Sequence, residues 1–476
     1  MPNSKSLLPV FAFALSLVVH PACRAAADLP PPVVAAALTR GEIPLDATGI
    51  YVQQVDSNAP LIAFNAAKPL NPASTMKLIT TDAALDLLGP AYTWKTQAYT
   101  TGTLDGDVLN GDLIIKGSGD PSLVTENLWL FLRRIRDDGI REIHGNLVLD
   151  RSAFAPVPYD PAQFDGDPIK PYNAGPDALL LNYKAFALHF VPHAKAGRVD
   201  VSIDPPAAGW RVTPPRLEGG PCLDWEAALR PAPAADGIAF DGSFSAVCGD
   251  KTLYVQPYLT DDTAYFGMVF RALWSELGGS LDGTVTDGTA PPDGQPVAEW
   301  QSPPLAEVIR HINKYSNNVM ARQVLLTIAE ETNGGVPATT AQGAATVRNW
   351  LAAESIDTTP LVIDNGAGLS REARVSAALM GRMLLAAFRS PAMPELMSSL
   401  PLVAEDGTMR KRLIDDGVAG RAHVKTGSLQ DVRAIAGYVL AASGKRYVVV
   451  CIINHPNAPA GQAAEDALLQ WVYEHG

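Results

Sequence analysis

Three short motifs carry residue types that together could turn a serine into a nucleophile. They are Ser74-Thr75-Met76-Lys77, Ser316-Asn317-Asn318 and Lys425-Thr426-Gly427, in that order along the chain. A serine hydroxyl is a poor nucleophile without a base, and a lysine can be that base only when its amine is neutral. Because the reference pKa of lysine is about 10.4, neutrality at pH 7 needs a shift of roughly 3 units, worth about 4–5 kcal/mol. The motifs therefore predict acyl transfer through a covalent intermediate, with Lys77 buried and close to other positive charge.

The elements predicted around the motifs would present these side chains together. Apolar residues with helical spacing run from Thr75 to Leu88, which puts Ser74 at a helix N-terminus with Lys77 on the same face. The second motif falls inside a helical stretch predicted over 304–331. The third lies in the first of three predicted C-terminal strands. The order of the three motifs, their spacing and the predicted elements all agree with one shared site. Each motif alone would be explained more simply as a helix cap, a loop or a strand end.

The three motifs together resemble those of the class C low-molecular-mass penicillin-binding proteins, which are D-alanyl-D-alanine carboxypeptidases and DD-endopeptidases. The long separation of Ser74 from Ser316 resembles the insertion of that class, which holds two extra domains. Further segments that resemble the family are Gly117–Pro121, Asp364–Arg371, Asp406–Met409, Lys425–Leu429 and Ala436–Val439. Two departures are Arg322, where the family often has an acidic residue, and Ala367, where a serine is usual.

The resemblance implies an α/β (α+β) fold, with a transpeptidase-like domain whose antiparallel sheet is flanked by helices. It also implies two inserted, mostly β domains. The expected boundaries are a signal peptide at 1–27, a catalytic domain at 28–95 and 300–476, inserted domain II at 96–172 and 262–299, and inserted domain III at 173–261.

The resemblance also assigns roles to individual residues. Ser74 would attack the substrate, Lys77 would take its proton, and Ser316 would relay a proton to the leaving amine. The full set of expected catalytic residues is Ser74, Lys77, Ser316, Asn318 and Lys425. The expected substrate-binding residues are Thr426, Gly427, Ser428 and Asp150. For Asp150, which would contact an amino group of the donor peptide, a carboxylate in a strand-end turn is an equally good interpretation.

The predicted activity is serine-type hydrolysis of D-Ala-D-Ala bonds in peptidoglycan peptides or cross-links, with β-lactams as inhibitors and without a metal or cofactor. A β-lactamase or esterase on the same scaffold is a second hypothesis. A non-catalytic cell-wall binding protein is a third. The sequence does not rank carboxypeptidase against endopeptidase activity, and it leaves the oligomeric state open.

The composition of this 476-residue chain excludes some classes of partner, and its N-terminal residues predict its compartment. Its net charge of −13 argues against nucleic acid and against anionic membranes as partners. The N-terminus has the pattern of a signal peptide, with the positive charge of Lys5, an apolar stretch at 7–19 and small residues at 25–27. This pattern predicts an exported, periplasmic protein without a transmembrane helix in the mature chain. In such a protein, a disulfide between Cys222 and Cys248 is a reasonable hypothesis.

Overall fold

The computed structural model describes residues 28–334 and 336–476, so the expected signal peptide at 1–27 lies outside the described residues. The described residues form eleven α-helices, numbered α1 to α11 in chain order: Pro32–Arg40, Met76–Leu88, Thr125–Asp137, Trp225–Leu229, Asp262–Glu276, Leu305–Tyr315, Asn318–Thr332, Thr340–Ala353, Ala377–Arg389, Met393–Ser399 and Gln462–His475. Among them, no helix is both long enough and apolar enough to cross a bilayer.

The same residues form twenty-four β-strands, numbered β1 to β24: Thr48–Gln54, Ile62–Phe64, Pro69–Leu70, Lys95–Thr100, Thr103–Asp105, Val108–Asn110, Leu113–Lys116, Glu142–Ile143, Leu147–Asp150, Phe186–His193, Arg198–Asp204, Arg211–Thr213, Arg216–Glu218, Pro231–Ala234, Gly237–Phe240, Ser243–Ser245, Lys251–Val255, Ser280–Leu281, Val285–Asp287, Ala298–Gln301, Val375–Ser376, Ala422–Leu429, Val432–Leu440 and Arg446–Asn454.

The two ends of the chain share one antiparallel sheet of five strands, in the order β2-β1-β24-β23-β22. Strand β24 is a continuous apolar run because both of its faces are buried. Val448, Val450 and Ile452 belong to the same hydrophobic cluster as residues of α2, α6, α7 and α9. The alternate residues, which include Val449 and Cys451, belong to the cluster that α1 and α11 contribute to on the other face. The predicted sheet flanked by helices is confirmed.

The helical stretch predicted over 304–331 is two helices, α6 and α7, with the second motif at the break between them. Ser316 ends α6 in the left-handed conformation (φ 59°), which stops the helix. The side chain of Asn317 then accepts a hydrogen bond from the Met320 amide and caps α7. Ser316, which was expected to be catalytic, and Asn317, which was not, therefore form the break, and Asn318 begins α7.

The inserted region contains strands, as predicted, and also two long helices, α3 and α5, that were not predicted. Its larger sheets have the orders β19-β9-β7-β4-β20 and β18-β8-β6-β5, and the smaller ones use strands from β10 to β17. Helix α3 buries Leu128, Phe131, Leu132 and Ile135 at helical spacing, so a signal for it was present in the sequence. Cys222 and Cys248 form a disulfide.

Strands up to β9 and from β18 onward form sheets separate from those of β10 to β17, and the expected boundaries at 172/173 and 261/262 lie in the connections between these groups. One hydrophobic cluster nevertheless contains residues of both expected domains, such as Ile115, Phe186 and Phe270. The division into domains II and III stays a prediction.

Candidate active site

Ser74 is presented by a short 3₁₀ turn, Ala73–Thr75, that leads directly into α2. Ala73 has a positive φ of 45°, a conformation that a side chain normally disfavours and that needs outside support. Asn71 provides it, because its side-chain oxygen accepts a hydrogen bond from the Ala73 amide at 2.9 Å. Asn454, at the end of β24, exchanges two further hydrogen bonds with the Asn71 backbone, at 2.7 and 2.9 Å. The central sheet therefore fixes the turn that carries Ser74.

Lys77 lies in the first turn of α2 and its amine faces the Ser74 hydroxyl. Lys77 Nζ is 3.0 Å from Ser74 Oγ. The same amine donates to Asn318 Oδ1 and to the Ala367 carbonyl, each at 2.6 Å. A neutral amine has two N–H groups and one lone pair, so these two acceptors use both donors and leave the lone pair directed at Ser74. This is the geometry of a general base.

The electrostatic surroundings of Lys77 favour its neutral form. Its side chain is fully buried, and this burial is the main cause of a pKa well below the usual value for lysine. The positive charges of Lys425 and Arg322 lower the pKa of Lys77 further. The sequence predicted that Lys77 is buried close to other positive charge, and the structure has this arrangement.

Lys425 and Ser316 form a second hydrogen-bonded pair beside the first. Lys425 Nζ donates to Ser316 Oγ at 2.8 Å and to the Thr426 carbonyl at 2.9 Å. Lys425 is fully buried in β22, and burial lowers its pKa to about 7. Near neutral pH, this amine is therefore divided between its charged and neutral forms, and it could either bind an anion or share a proton with Ser316.

Strand β22 forms the edge of the sheet next to Ser74, and Gly427 makes that approach possible. A Cβ atom on Gly427 would lie 2.6 Å from the Pro72 carbonyl oxygen and 3.1 Å from the Ser74 amide nitrogen, so only glycine fits. Ser428, the next residue, is exposed. The backbone amides of Ser74 and Ser428 are thus the candidates for an oxyanion hole.

The structure also brings Thr408 to the site, which sequence reasoning did not assign to it. The hydroxyls of Thr408 and Thr426 are 2.8 Å apart. The segment that carries Thr408 is held by Asp406, whose carboxylate accepts hydrogen bonds from Lys314 Nζ at 2.6 and 2.8 Å. The resemblance of 406–409 to the family was the available signal, but a threonine alone gave no reason to place it beside the third motif.

Ala367 is a second contributor that the sequence did not reveal, because it acts through its backbone carbonyl. The side chain of Asn365 shapes the turn by accepting hydrogen bonds from the amides of Ala367 and Gly368, at 3.0 and 3.2 Å. Gly368 has a φ of 75°, and a Cβ atom there would lie 1.8 Å from the Ala73 carbonyl oxygen. No side chain at 367 would be needed for this role, so the departure from serine leaves the contact with Lys77 intact.

Asp150 is placed differently from the substrate contact that was expected. It ends β9 and is only 1% exposed. One carboxylate oxygen accepts from the Ser152 amide at 2.9 Å and the other from the Ala290 amide at 2.7 Å. Both oxygens therefore hold turns of the inserted region, as in the alternative interpretation, and the carboxylate is buried away from solvent.

Within the part of the chain that the structure describes, no three His, Cys, Asp or Glu side chains are grouped as metal ligands would be. The polar groups that the structure brings together at this site are the amines of Lys77 and Lys425, the amide of Asn318, and the hydroxyls of Ser74, Ser316, Thr408 and Thr426. Their arrangement supports nucleophilic attack by Ser74 on a carbonyl, with proton transfer through the two lysines.

Comparisons with known proteins agree with this chemistry. The model of the D-Ala-D-Ala carboxypeptidase 3 (S13) family matches residues 32–475. The chain is 28% identical over 446 residues to a D-alanyl-D-alanine carboxypeptidase of Actinomadura sp. (strain R39), covering 88% of this chain and 80% of that protein. It is 25% identical to the D-alanyl-D-alanine carboxypeptidase DacB of Haemophilus influenzae, covering 85% of each. The crystal structure of penicillin binding protein 4 from Haemophilus influenzae has the same fold, with a TM-score of 0.78, 23% identity, and coverage of 93% of this chain and 99% of that chain.

Proposed function

Because the chain belongs to the D-Ala-D-Ala carboxypeptidase 3 (S13) family, we propose that it hydrolyses D-Ala-D-Ala bonds of peptidoglycan peptides through an acyl-enzyme on Ser74. The observation that carries this assignment is the contact of Lys77 with Ser74, in which both N–H groups of a neutral amine are engaged elsewhere. A base held in this way is ready before the substrate arrives.

In the first half of the reaction, Ser74 Oγ attacks the carbonyl carbon of the penultimate D-Ala while Lys77 Nζ accepts the hydroxyl proton. The amides of Ser74 and Ser428 stabilise the oxyanion, and each such donor is typically worth about 2.7–4 kcal/mol in the transition state. The C–N bond then breaks, and the leaving amine receives a proton through Ser316. The pair formed by Ser316 and Lys425 supplies a short route for that proton.

In the second half, water attacks the acyl-enzyme and releases the shortened peptide. Asn318 keeps Lys77 in place and is the expected partner of the substrate backbone. Lys425 and Thr426 would bind the terminal carboxylate of the substrate. Lys425 suits this role because it lies on an edge strand and its amine is partly charged near pH 7. The acyl transfer needs no group beyond these side chains and water.

The same recognition accounts for two substrates. A peptide cross-link can present a D-centre with an adjacent carboxylate, as free D-Ala-D-Ala does. A site that recognises this carboxylate would cleave either bond, so we include DD-endopeptidase activity in the proposal. Penicillins mimic the same acyl donor and would acylate Ser74. An exported location, in the periplasm where the peptidoglycan lies, is part of the same proposal.

The test is the variant Ser74→Ala, compared with Ser443→Ala at an exposed position on the far end of the sheet. Ser74→Ala should abolish D-Ala release from a pentapeptide and abolish labelling by a fluorescent penicillin, while its melting temperature stays close to that of the wild type. Ser443→Ala should keep both activities. Retained labelling of Ser74→Ala would place the nucleophile elsewhere. Rapid turnover of penicillin by the wild type would favour the β-lactamase hypothesis, and no adduct with any β-lactam would favour the binding-protein hypothesis.

A further inference from the structure

Arg322 is a buried cation on the catalytic helix α7 that has no ionic partner. It is 5% exposed. No carboxylate of the described residues forms an ion pair with it, although such pairs are made by many other arginines of the chain. Its Nε atom has no hydrogen-bond partner. A buried charge that is left unneutralised costs stability, so its presence calls for a reason.

The position of Arg322 on α7 connects it with the catalytic base. Asn318, which accepts a hydrogen bond from Lys77 Nζ at 2.6 Å, lies four residues earlier, one turn away on the same helix face. The positive charge of Arg322 is one of the two charges that lower the pKa of Lys77. The other is that of Lys425, which reaches the site from β22.

Arg322 also ties the inserted region to α7. Its Nη1 atom donates to the Tyr172 carbonyl at 3.1 Å and to the Ala174 carbonyl at 2.6 Å. Its guanidinium lies 5.6 Å from the centre of the Tyr159 ring. Three residues of the inserted region thus contact one side chain of the catalytic domain.

We propose that Arg322 is a positioning residue for the hydrolytic reaction, whose unneutralised charge beside the Asn318 end of α7 favours the neutral form of Lys77. Its two carbonyl contacts fix the guanidinium in that place and hold the 172–174 segment on α7. This inference rests on the proposed function, since it assumes that Lys77 is the base.

The charged and titratable groups around this pair of residues can be named element by element. Lys425 on β22 adds positive charge. Asp364, in the loop that supplies the Ala367 carbonyl, and Tyr159, in the inserted region, act on Arg322. Asn318 and Ser74 are uncharged. Arg322 and Lys425 are therefore the charges whose removal should make Lys77 easier to protonate.

Two substitutions separate the charge of Arg322 from its hydrogen bonds. Arg322→Gln removes the charge and can still donate to one carbonyl, whereas Arg322→Lys keeps the charge but replaces the planar guanidinium by a compact ammonium. The acid limb of the pH profile of kcat/KM reports the pKa of the base in the free enzyme. Arg322→Gln should move this limb to higher pH, so that kcat/KM for a D-Ala-D-Ala peptide falls at pH 7 and recovers towards the wild-type value as the pH rises. Arg322→Lys should leave the acid limb within a few tenths of a unit of the wild type.

Three controls make the result decisive. Arg348→Gln changes the net charge equally at an exposed position of α8 and should not change the profile. The alkaline limb should also stay in place in Arg322→Gln, because burial alone lowers the pKa of Lys425. Arg322→Met also removes the charge, with a side chain of similar length, and should move the acid limb to higher pH as Arg322→Gln does. It decides the matter if Arg322→Gln does not fold.

An acid limb that is unchanged in both Arg322→Gln and Arg322→Met, or that moves equally in the Gln and Lys variants, would overturn the role of the charge. Failure of the proposed function looks different. In that case the wild type itself would release no D-Ala and would carry no penicillin adduct on Ser74.

Discussion

Lys425→Met should make the protein inactive and, at neutral pH, more stable. Lys425 has a pKa of about 7 in the folded chain because it is fully buried, and about 10.4 when the chain is unfolded. Between these two values the unfolded state binds more protons, so the free energy of unfolding rises with pH through this window. At pH 7 the wild type therefore lacks about 4 kcal/mol of stability that it would have at high pH. A difference of roughly 3.4 units at about 1.4 kcal/mol each gives about 4.8 kcal/mol, and about 0.4 kcal/mol is already recovered because half of the folded molecules are neutral at pH 7.

Methionine fills similar space without a charge, so the variant avoids this cost. It loses the two hydrogen bonds of Lys425 to Ser316 Oγ and to the Thr426 carbonyl. At about 1 kcal/mol each, this loss leaves a net gain of about 2 kcal/mol at pH 7. The gain should shrink as the pH rises and should disappear near pH 9, where the remaining cost of the buried amine is about 2 kcal/mol and equals the loss of the two hydrogen bonds.

The assay is urea unfolding of wild type and Lys425→Met at several pH values from 7 to 9, with the midpoint of the catalytic-domain transition compared at each. Arg348→Gln, again, serves as the variant that changes charge without changing burial. A variant that is less stable than the wild type at every pH would refute the reasoning, and so would a stability difference that does not vary with pH. Either result would mean that the buried amine carries no such cost.

Gly427→Ala should lower kcat by about 100-fold with an intact fold, because its Cβ would lie 2.6 Å from the Pro72 carbonyl and displace β22 from the nucleophile; steady-state kinetics and the melting temperature check this. Replacing Cys222 and Cys248 by alanine should lower the free energy of unfolding of the inserted region by about 3 kcal/mol, whereas the rate of acylation by penicillin should not change. Glu465 is fully buried with its pKa raised to about 7, so its contribution to stability is complete below about pH 4 and is lost as the pH rises to 7, by about 3 kcal/mol. Glu465→Gln should therefore flatten that part of the stability profile, measured by urea unfolding.

The sequence predicted the catalytic half of the molecule well because its signals there are local. The apolar run of β24 and the helical spacing after Ser74 each depend on neighbouring residues, and the structure has a strand and a helix there. The prediction of one helix over 304–331 was wrong because a single residue interrupts it. The left-handed conformation of Ser316 divides one predicted helix into two, and nothing in a serine marks it in advance for that conformation.

The parts of the site that were not predicted act through backbone atoms or through distant packing. The Ala367 carbonyl holds Lys77, yet a carbonyl is present at every position of a chain. Asn71 and Asn454 fix the turn before Ser74 from places 383 residues apart. Asp150 shows the opposite case. Its carboxylate has a suitable charge for an amino group of the substrate, but it is buried and accepts hydrogen bonds from two backbone amides. Residue type gives the chemistry, but only the folded chain shows which groups are already engaged.

The long insertion does not separate Ser74 from Ser316 in space because it leaves and rejoins the catalytic domain at adjacent points. Strand β4 pairs with β20, so that Lys95 lies opposite Gln301. Just outside that pair, Trp94 and Ser302 exchange two hydrogen bonds at 3.0 Å, and the Trp94 indole donates to Thr327 on α7 at 2.8 Å. The entropic cost of closing a loop rises only slowly with the length of the loop, and it is smaller when the two ends already pair. The catalytic residues can therefore keep their spacing while the inserted region reaches α7 through Arg322.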